Sequence, residues 1–232
     1  MSEARWYVHQ LGSREHYAVP RALHTTGDLA LAQVDAWVRP AYQPWLRRCG
    51  QEALAGRYHP QLATAPVRAF TAGRLWFDVT VRLRRWGPWE TMMARNEWFQ
   101  RRAAPVLARA LEKSQGQTPG VVFAYSYAAR RLFREAKARG ARCILGQVDP
   151  GPAEYGWLER CLGADVSGEA PPPAYWERWR EELALADAIV VNSPWARELL
   201  HAEGLPETRL HVVPLAYEAP LSPPPQRRYP RA

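Results

Sequence analysis

The sequence lacks any long uninterrupted hydrophobic run, and no apolar segment follows Met1. No run approaches the roughly 18 apolar residues that a membrane-spanning helix needs, so neither a membrane span nor a secretory leader is expected. Cysteine is scarce: there are three residues, widely spaced and without a C-x-x-C pair. A disulfide framework and a zinc site are not indicated, and we expect a cytoplasmic protein that binds no metal.

Lysine is almost absent, although the chain is strongly basic. Lys113 and Lys137 are the only lysines, and the net charge is +8. Nearly all the positive charge is therefore guanidinium, whose planar fork suits phosphate oxygens. The excess would serve nucleic acid, an anionic membrane or a diphosphate-linked small molecule alike, and codon usage in a GC-rich genome explains it equally well. No nucleic-acid-binding signature accompanies the charge, so nucleic acid is the least favoured partner.

Short β-rich runs alternate with helical patterns between residues 121 and 214. This alternation predicts a parallel sheet with helices on both faces. Ser126 is expected to cap the helix after the first run, and Asn192-Ser193-Pro194 to begin the last helix. The predicted fold class is α/β, a Rossmann-like three-layer sandwich with a mainly parallel sheet. The predicted strands are 5–9, 29–34, 121–125, 142–147, 188–191 and 209–213, with a helix at about 14–26 after the first.

The pattern predicts one domain over residues 1–218, followed by a Pro-rich linker or tail at 219–232. Arginines alternate with tryptophans between about 68 and 113, which indicates helices with a basic and aromatic face. Such a segment is typical of helices that lie on an anionic membrane surface. The alternative, arginines on a solvated face and tryptophans in the core, is equally consistent with the sequence.

Residues 186–193 read ADAIVVNS, 204–206 read GLP and 209–214 read RLHVVP. This stretch resembles the "ADxIVxNS … GxPxxKIxVVPxG" pattern of the retaining GT-B glycosyltransferases of family four, at the end of their N-terminal, acceptor-side domain. The agreement extends to Gly12 and to the strand ends at 125–126 and 147–149. Two departures stand out: no His lies near 147–149, and Leu215-Ala216-Tyr217 replaces the usual Gly-Val-Asp.

The resemblance implies one half of a GT-B architecture. It implies an acceptor-binding domain of an enzyme that moves a sugar, with retention, from a nucleotide-sugar donor to a saccharide or lipid-linked acceptor. No cofactor or metal is implied. The family's donor-binding C-terminal domain has no counterpart in these residues, so we expect it in cis or in trans, and we expect this chain alone to be inactive. The alternative is a non-catalytic module that docks on a partner domain or an anionic membrane.

Ligands of open α/β sheets bind beyond the carboxyl ends of the strands, so the loops there are expected to form the site. Asp149 is the candidate acid or base, although Asp-Pro-Gly is also a good turn. Likewise the glycine and serine at 12–13 could form an ordinary turn, and 192–193 a helix cap. No G-x-G-x-x-G motif is present, which disfavours an NAD-linked oxidoreductase. The expected substrate-binding residues are Gly12, Ser13, Arg14, His16, Tyr125, Ser126, Gln147, Asn192 and Ser193.

Overall fold

The computed structural model describes residues 4–114, 116, 119–162 and 170–215. These residues form one sheet of seven strands in the order β3-β2-β1-β4-β5-β6-β7, with every neighbouring pair parallel. The predicted Rossmann-like α/β fold with a parallel sheet is therefore confirmed. The strands are β1 (Arg5–Gln10), β2 (Leu29–Val34), β3 (Val67–Ala69), β4 (Gly120–Tyr125), β5 (Arg142–Gly146), β6 (Ala188–Val191) and β7 (Leu210–Val212).

Helices connect the strands and cover both faces of the sheet. The longest, α5, has 26 residues and returns the chain from the β3 edge to the centre, where β4 pairs with β1. In the described residues no helix is long and apolar enough to cross a membrane. The helices are α1 (Ala18–Thr25), α2 (Gln43–Arg48), α3 (Glu52–Ala55), α4 (Thr71–Arg84), α5 (Pro88–Lys113), α6 (Arg130–Lys137), α7 (Pro152–Leu162), α8 (Pro173–Leu185) and α9 (Pro194–Ala202).

Successive residues of the central strands belong to two different cores, one on each face. Tyr7 and Val122 pack in the core formed with α5, α6, α8 and α9. Their neighbours Val8 and Phe123 pack in the core next to α1, where Val19 also lies. Because side chains alternate between the faces of a strand, a strand buried on both faces reads as a continuous apolar run. That is why 121–125 could be recognised as a buried strand without any polar alternation.

The order of the strands places a topological switch point between β1 and β4. From β1 the chain proceeds to β2 and β3 on one side, and from β4 it proceeds to β5, β6 and β7 on the other. Loops that leave the carboxyl ends of these two strands therefore diverge and leave a crevice, which is where open α/β sheets bind ligands.

Helix ends in the second half of the chain follow local sequence signals. Ser193 Oγ accepts a hydrogen bond from the N–H of Ala196 at 3.2 Å, and Pro194 occupies the first turn of α9, as predicted. Gly140 and Gly204 follow α6 and α9 with φ angles of +72° and +95°, a conformation that glycine adopts without a steric penalty.

Ser126 does not cap a helix, which corrects the prediction made from the sequence. Helix α6 begins four residues later, at Arg130, and its cap comes from α8. Glu182 Oε1 accepts hydrogen bonds from the N–H groups of Ala129 at 2.8 Å and Arg130 at 3.0 Å. Ser126 Oγ accepts a bond from the N–H of Val148 at 3.3 Å instead. A carboxylate distant in sequence has taken the place of the local hydroxyl.

The helix predicted over about 14–26 begins only at Ala18. Residues Glu15, His16 and Tyr17 have φ angles of +49°, +48° and +63°, so a 3₁₀ turn with left-handed residues precedes α1. Left-handed backbone costs a non-glycine residue on the order of 1–2 kcal/mol. The apolar periodicity carried no sign of this interruption.

The segment of about 68–113 contains the end of β3 and the helices α4 and α5, which are separated at Arg85, where φ is +52°. The Pro-rich stretch 219–232 lies outside the described residues. The boundary at residue 218 therefore stays a prediction.

Candidate functional site

The predicted site residues follow the carboxyl ends of neighbouring strands, and two adjacent cavities open there. The larger, called the β1–β4 cavity, has a volume of about 430 Å³, and the smaller, called the β4–β6 cavity, about 290 Å³. Arg14, Tyr125 and Val148 line both, so these residues separate the two spaces. Both cavities lie at the edge and near the switch point that the fold marks for ligands.

The β1–β4 cavity is bordered by the ends of β1, β4 and β5 and by the first turns of α5 and α8. It combines aromatic rings, polar groups and two arginines. Its polar and aromatic lining residues are His9, Gln10, Arg14, Thr91, Arg95, Asn96, Tyr125, Ser126, Tyr127, Asp149 and Tyr175.

The β4–β6 cavity is bordered by the ends of β4, β5 and β6 and by the segment after β7. Asn192 and Gln147 line it, together with Glu15. The Gln147 side chain is already engaged, because its Nε2 donates to the carbonyl of Asp149 at 2.7 Å and its Oε1 accepts from Trp179 Nε1 at 3.2 Å. Gln147 therefore shapes the loop, whereas the side chain of Asn192 is half-buried at the cavity wall.

Asp149, the candidate acid or base, is held in one orientation at the β1–β4 cavity. Its Oδ1 accepts hydrogen bonds from Tyr127 Oη at 2.5 Å and from the N–H of Gly151 at 2.9 Å. Tyr127 stacks on Tyr175, with ring centroids 4.5 Å apart. Burial and then the charge of Asp149 raise the pKa of Tyr127, so the phenol stays protonated and donates.

Gly12 lies beneath the edge rather than on a cavity wall. Its N–H donates to Asp35 Oδ1 at 2.9 Å, and its carbonyl accepts from Gln10 Nε2 at 2.9 Å. Its φ is +84°, and a Cβ would stand 2.9 Å from Arg57 Nη1. The left-handed conformation favours glycine, and any side chain here would also displace that guanidinium.

Asp35, which the sequence did not single out, is the centre of a group of arginines. It is 1% exposed and directly follows β2. Its Oδ2 accepts from Arg74 Nη1 at 2.9 Å and Arg95 Nη2 at 3.3 Å, and Arg57 Nη1 lies 3.7 Å from Oδ1. We call Asp35 and these three arginines the Asp35 cluster. Through these hydrogen bonds and ion pairs, Asp35 connects the turn at Gly12 to the segment between β2 and β3 and to α4 and α5.

Strained backbone borders the cavities. Besides the left-handed residues Glu15 to Tyr17, Tyr127 has a φ of +72°. Such conformations persist only where the surroundings enforce them, and they are often found at ligand sites. The first strained segment follows Arg14, whose guanidinium carbon lies 5.5 Å from the centroid of the Tyr125 ring. Tyr125 Oη donates to Glu15 Oε1 at 3.3 Å, which fixes the ring against this segment.

Four of the predicted site residues line neither cavity. Gly12 is buried below them, and Ser193 is occupied as the cap of α9. The Ser13 carbonyl accepts from the N–H of His16 at 3.0 Å in the turn after β1, and the His16 side chain is exposed. Six predicted residues, namely Arg14, Tyr125, Ser126, Gln147, Asp149 and Asn192, do lie on a cavity wall.

Sequence reasoning placed the loop of residues 125–127 at the site but missed His9, Gln10, Asp35 and Arg95. Asp35 comes directly after the end of a strand, which is the rule that selected Asp149, so it could have been found. His9 and Gln10 were visible as polar residues at the end of an apolar strand. Arg95 gave no such signal, because it reaches the site only through the packing of α5.

A parallel sheet with cavities at the carboxyl ends of its central strands places the protein in the Rossmann-like α/β class. The sequence profile of the family described as "Glycosyl transferase 4-like domain" matches residues 51–216, and the chain belongs to this family. The resemblance to the N-terminal domain of a family-four GT-B glycosyltransferase is thus confirmed.

Solved structures with a similar fold include the Phytolacca americana UGT2 complexed with UDP-2fluoro-glucose and pterostilbene. That match has a TM-score of 0.52 and 13% identity and covers 96% of this chain and 56% of the other. A putative UDP-N-acetylglucosamine 2-epimerase from Listeria monocytogenes also matches, with a TM-score of 0.47 and 9% identity, covering 90% of this chain and 44% of the other.

The chain therefore spans about half the length of the solved structures that it matches. No curated protein matches the sequence significantly. Across the described part of the chain, no three His, Cys, Asp or Glu side chains come together as ligands of a metal ion would. At these identities the structural likeness establishes the fold, and the family rests on the profile match.

Proposed function

We propose that this chain is the acceptor-binding half of a glycosyltransferase that moves a sugar from a nucleotide-sugar donor to a saccharide or lipid-linked acceptor. The observation that carries the proposal is the pair of cavities at the carboxyl edge of the sheet, in a chain of a glycosyltransferase family. The similar fold of Phytolacca americana UGT2, which was solved with UDP-2fluoro-glucose and pterostilbene, supports it.

In this proposal the β1–β4 cavity holds the acceptor. Sugars are recognised by hydrogen bonds to hydroxyls and by aromatic rings against their apolar faces, and this cavity offers both. The stacked Tyr127 and Tyr175 form an aromatic wall, and Ser126 and Asp149 supply polar atoms beside it. Asp149 Oδ2 would accept a hydrogen bond from the reacting hydroxyl and orient its oxygen.

The donor would lie beside the acceptor, at the β4–β6 cavity and against a second domain that faces this edge. The edge belongs to a single sheet, so one side of each cavity faces outward. Transfer of a glycosyl group depends on holding both reactants in line, a contribution worth on the order of 7–11 kcal/mol. We therefore expect these 232 residues by themselves to bind acceptors and to transfer no sugar.

Calorimetry with a panel of saccharides and lipid-linked saccharides tests the acceptor site. Met92 lines the β1–β4 cavity and is 40% exposed, so Met92→Trp should fill the mouth and abolish the binding heat. Arg109→Trp, on the exposed side of the same helix, is the matched control and should bind as the unaltered chain does. Binding that survives Met92→Trp would place the acceptor elsewhere.

A second assay tests whether transfer needs another domain. The chain is incubated with nucleotide sugars and the acceptors that bind, and released nucleotide is measured. No release is expected. Acceptor-dependent release by the chain alone would show that the site is complete and would contradict the proposed division of roles. Acceptor binding that persists without transfer even when a donor-binding domain is added would favour a non-catalytic module.

We further propose that helix α4 places the protein on an anionic membrane surface. Leu75, Trp76, Val79 and Leu83 project from this helix with exposures of 47%, 70%, 43% and 78%, and we call them the α4 face. Exposed arginines at 82, 84 and 85 flank it. The sequence did not indicate which aromatic residues of this segment are exposed and which lie in the core. Trp76 is exposed, whereas Phe77 and Phe99 are buried in the domain. Apolar and aromatic groups flanked by cations suit the interface of an anionic bilayer.

Co-sedimentation with liposomes tests this role. The chain should bind vesicles that contain phosphatidylglycerol more strongly than phosphatidylcholine vesicles, and the double variant Trp76→Gln and Leu83→Gln should remove the difference. Trp157→Gln, which alters a tryptophan that is 45% exposed on another helix, is the control. Equal binding to both lipids, or none, would contradict the membrane role and leave the α4 face to a protein partner.

A further inference from the structure

The Asp35 cluster leaves positive charge unbalanced at the back of the β1–β4 cavity. Three guanidiniums share the buried Asp35 carboxylate, and the only further carboxylate paired with them in the described residues is Asp78, which bonds to Arg74 and is 40% exposed. Burial and the charges of Arg74 and Arg57 lower the pKa of Arg95, despite Asp35 beside it. The cation on Arg95 is thus crowded by like charges.

Arg95 brings part of this charge to the cavity wall. It lines the β1–β4 cavity with a side chain that is 30% exposed, and its buried Nε has no hydrogen-bond partner in the structure. Arg14 lines the same cavity, and no carboxylate of the described residues lies within ion-pair distance of it. Asp149 is the anionic residue on this wall, and Tyr127 and Gly151 already bond to it. Two forked cations are therefore available to a ligand.

Neutral polar atoms of the same cavity also lack partners. His9 is 1% exposed, and neither of its ring nitrogens makes a hydrogen bond; Gln10 Oε1 is likewise buried and unbonded. Burial lowers the pKa of His9 to about 3, so the ring is neutral and offers one donor and one acceptor. Buried polar atoms without partners destabilise the fold, and a ligand that bonds to them relieves that cost.

We propose that the β1–β4 cavity binds a phosphorylated sugar or polyol, with its phosphate between Arg14 and Arg95 and its hydroxyls against His9 and Gln10. This inference rests on the proposed acceptor site and names the chemical class of the acceptor. A phosphate monoester carries up to two negative charges and several acceptor oxygens. It therefore matches two guanidiniums better than the single carboxylate of a ligand such as a hexuronate does. A neutral saccharide would leave the charge of Arg95 as crowded as it is in the free chain.

Calorimetry with four probes tests the inference: hexose 6-phosphates, the corresponding neutral hexoses, hexuronates and inorganic phosphate. The phosphorylated sugars should bind at least tenfold more tightly than the neutral ones. Arg14→Gln and Arg95→Gln should each lose most of that preference, while Arg95→Lys should retain part of it. Arg109→Gln, which removes one charge from the exposed side of α5, should change nothing. Thermal melting of every variant verifies that it is folded, and Arg14 is exposed enough to be replaced safely.

The outcomes separate this inference from the proposed function. Equal affinity for phosphorylated and neutral sugars would overturn the inference and leave the acceptor site standing. Hexuronates that bind as tightly as phosphates would overturn the assignment to phosphate, and inorganic phosphate that binds as tightly as the phosphosugars would show a site for a free anion or the donor's diphosphate. Failure of these sugars to bind the folded chain would overturn the inference, and failure of the lipid-linked saccharides as well would overturn the proposed function.

Discussion

Replacement of Asp35 should be among the most destabilising single changes in the domain. Asp35→Ala leaves three guanidiniums around a buried space without their shared counter-charge and removes the acceptor of the Gly12 N–H. Loss of one partner of a buried ion pair costs about 3–5 kcal/mol. A domain of this kind is stable by only about 5–15 kcal/mol, so the variant should lose a large fraction of its free energy of unfolding.

Two further variants separate charge from hydrogen bonding at this position. Asp35→Asn keeps an oxygen for the Gly12 N–H and removes only the charge, so it should cost nearly as much as the alanine. Asp78→Ala removes the partly exposed partner of Arg74, and exposed pairs of this type contribute about 0.2–1 kcal/mol. In the Asp35→Ala background, Arg57→Gln should restore stability, because it removes one of the uncompensated cations.

Urea unfolding followed by tryptophan fluorescence and circular dichroism measures these free energies. Similar m-values across the variants would show that the unfolding reaction itself is unchanged. A loss of less than about 1 kcal/mol for Asp35→Ala, or a loss equal to that of Asp78→Ala, would contradict the account of the cluster as an unbalanced buried group.

Three other changes test parts of the same structure. His9→Gln should reduce the loss of stability at acid pH. Burial lowers the pKa of His9 to about 3 in the folded chain, so the unfolded chain binds a proton first as the pH falls. The free energy of unfolding of the unaltered chain should therefore decrease between about pH 6.5 and pH 3, by about 1.4 kcal/mol per pH unit for one proton. Chemical unfolding at several pH values measures that slope, and identical slopes for both proteins would refute it. Glu182→Ala should cost at least about 2 kcal/mol in urea unfolding, because three backbone N–H groups before and in the first turn of α6 lose their acceptor, whereas Glu181→Ala should cost much less. Ser193→Ala should cost about 1 kcal/mol in the same assay through loss of the α9 cap, and no measurable loss would contradict that role.

Local signals in the sequence were sufficient for the second half of the fold. The strand at 188–191 is buried on one face and half-buried on the other, and the serine that caps α9 comes two residues after its end, so the end of the strand is marked by neighbouring residues. The strand at 29–34 was predicted with the bounds that it has in the structure. These elements could be predicted because burial and capping act there within a few residues.

The rest of the architecture depends on contacts between distant residues. The connection from β2 to β3 contains two helices of only six and four residues, which are too short to show a periodicity. The cap of α6 comes from Glu182, more than fifty positions away in the chain. No local pattern records such a contact, so the start of α6 was misplaced.

The candidate site likewise contains residues that the sequence predicts and residues that only tertiary packing brings together. Tyr125, Ser126 and Asp149 could be predicted because strand ends converge in any parallel sheet. The members of the Asp35 cluster come from four separate segments, and only the packing of α4 and α5 brings their side chains together. Their spacing in the sequence predicts nothing, and the charge of the chain indicated only that an anion was a plausible partner.

Amide chemical-shift mapping tests the central claim, that the carboxyl edge of the sheet is an acceptor site. The ¹⁵N-labelled chain is titrated with the saccharides and phosphosugars that show binding heat, and the shifted residues are assigned. The account predicts shifts concentrated at His9, Gln10, Ser126, Tyr127 and Asp149, with α7 and the exposed side of α5 unaffected. Shifts confined to the α4 face or to the amino ends of the strands, with none at the β1–β4 cavity, would contradict it.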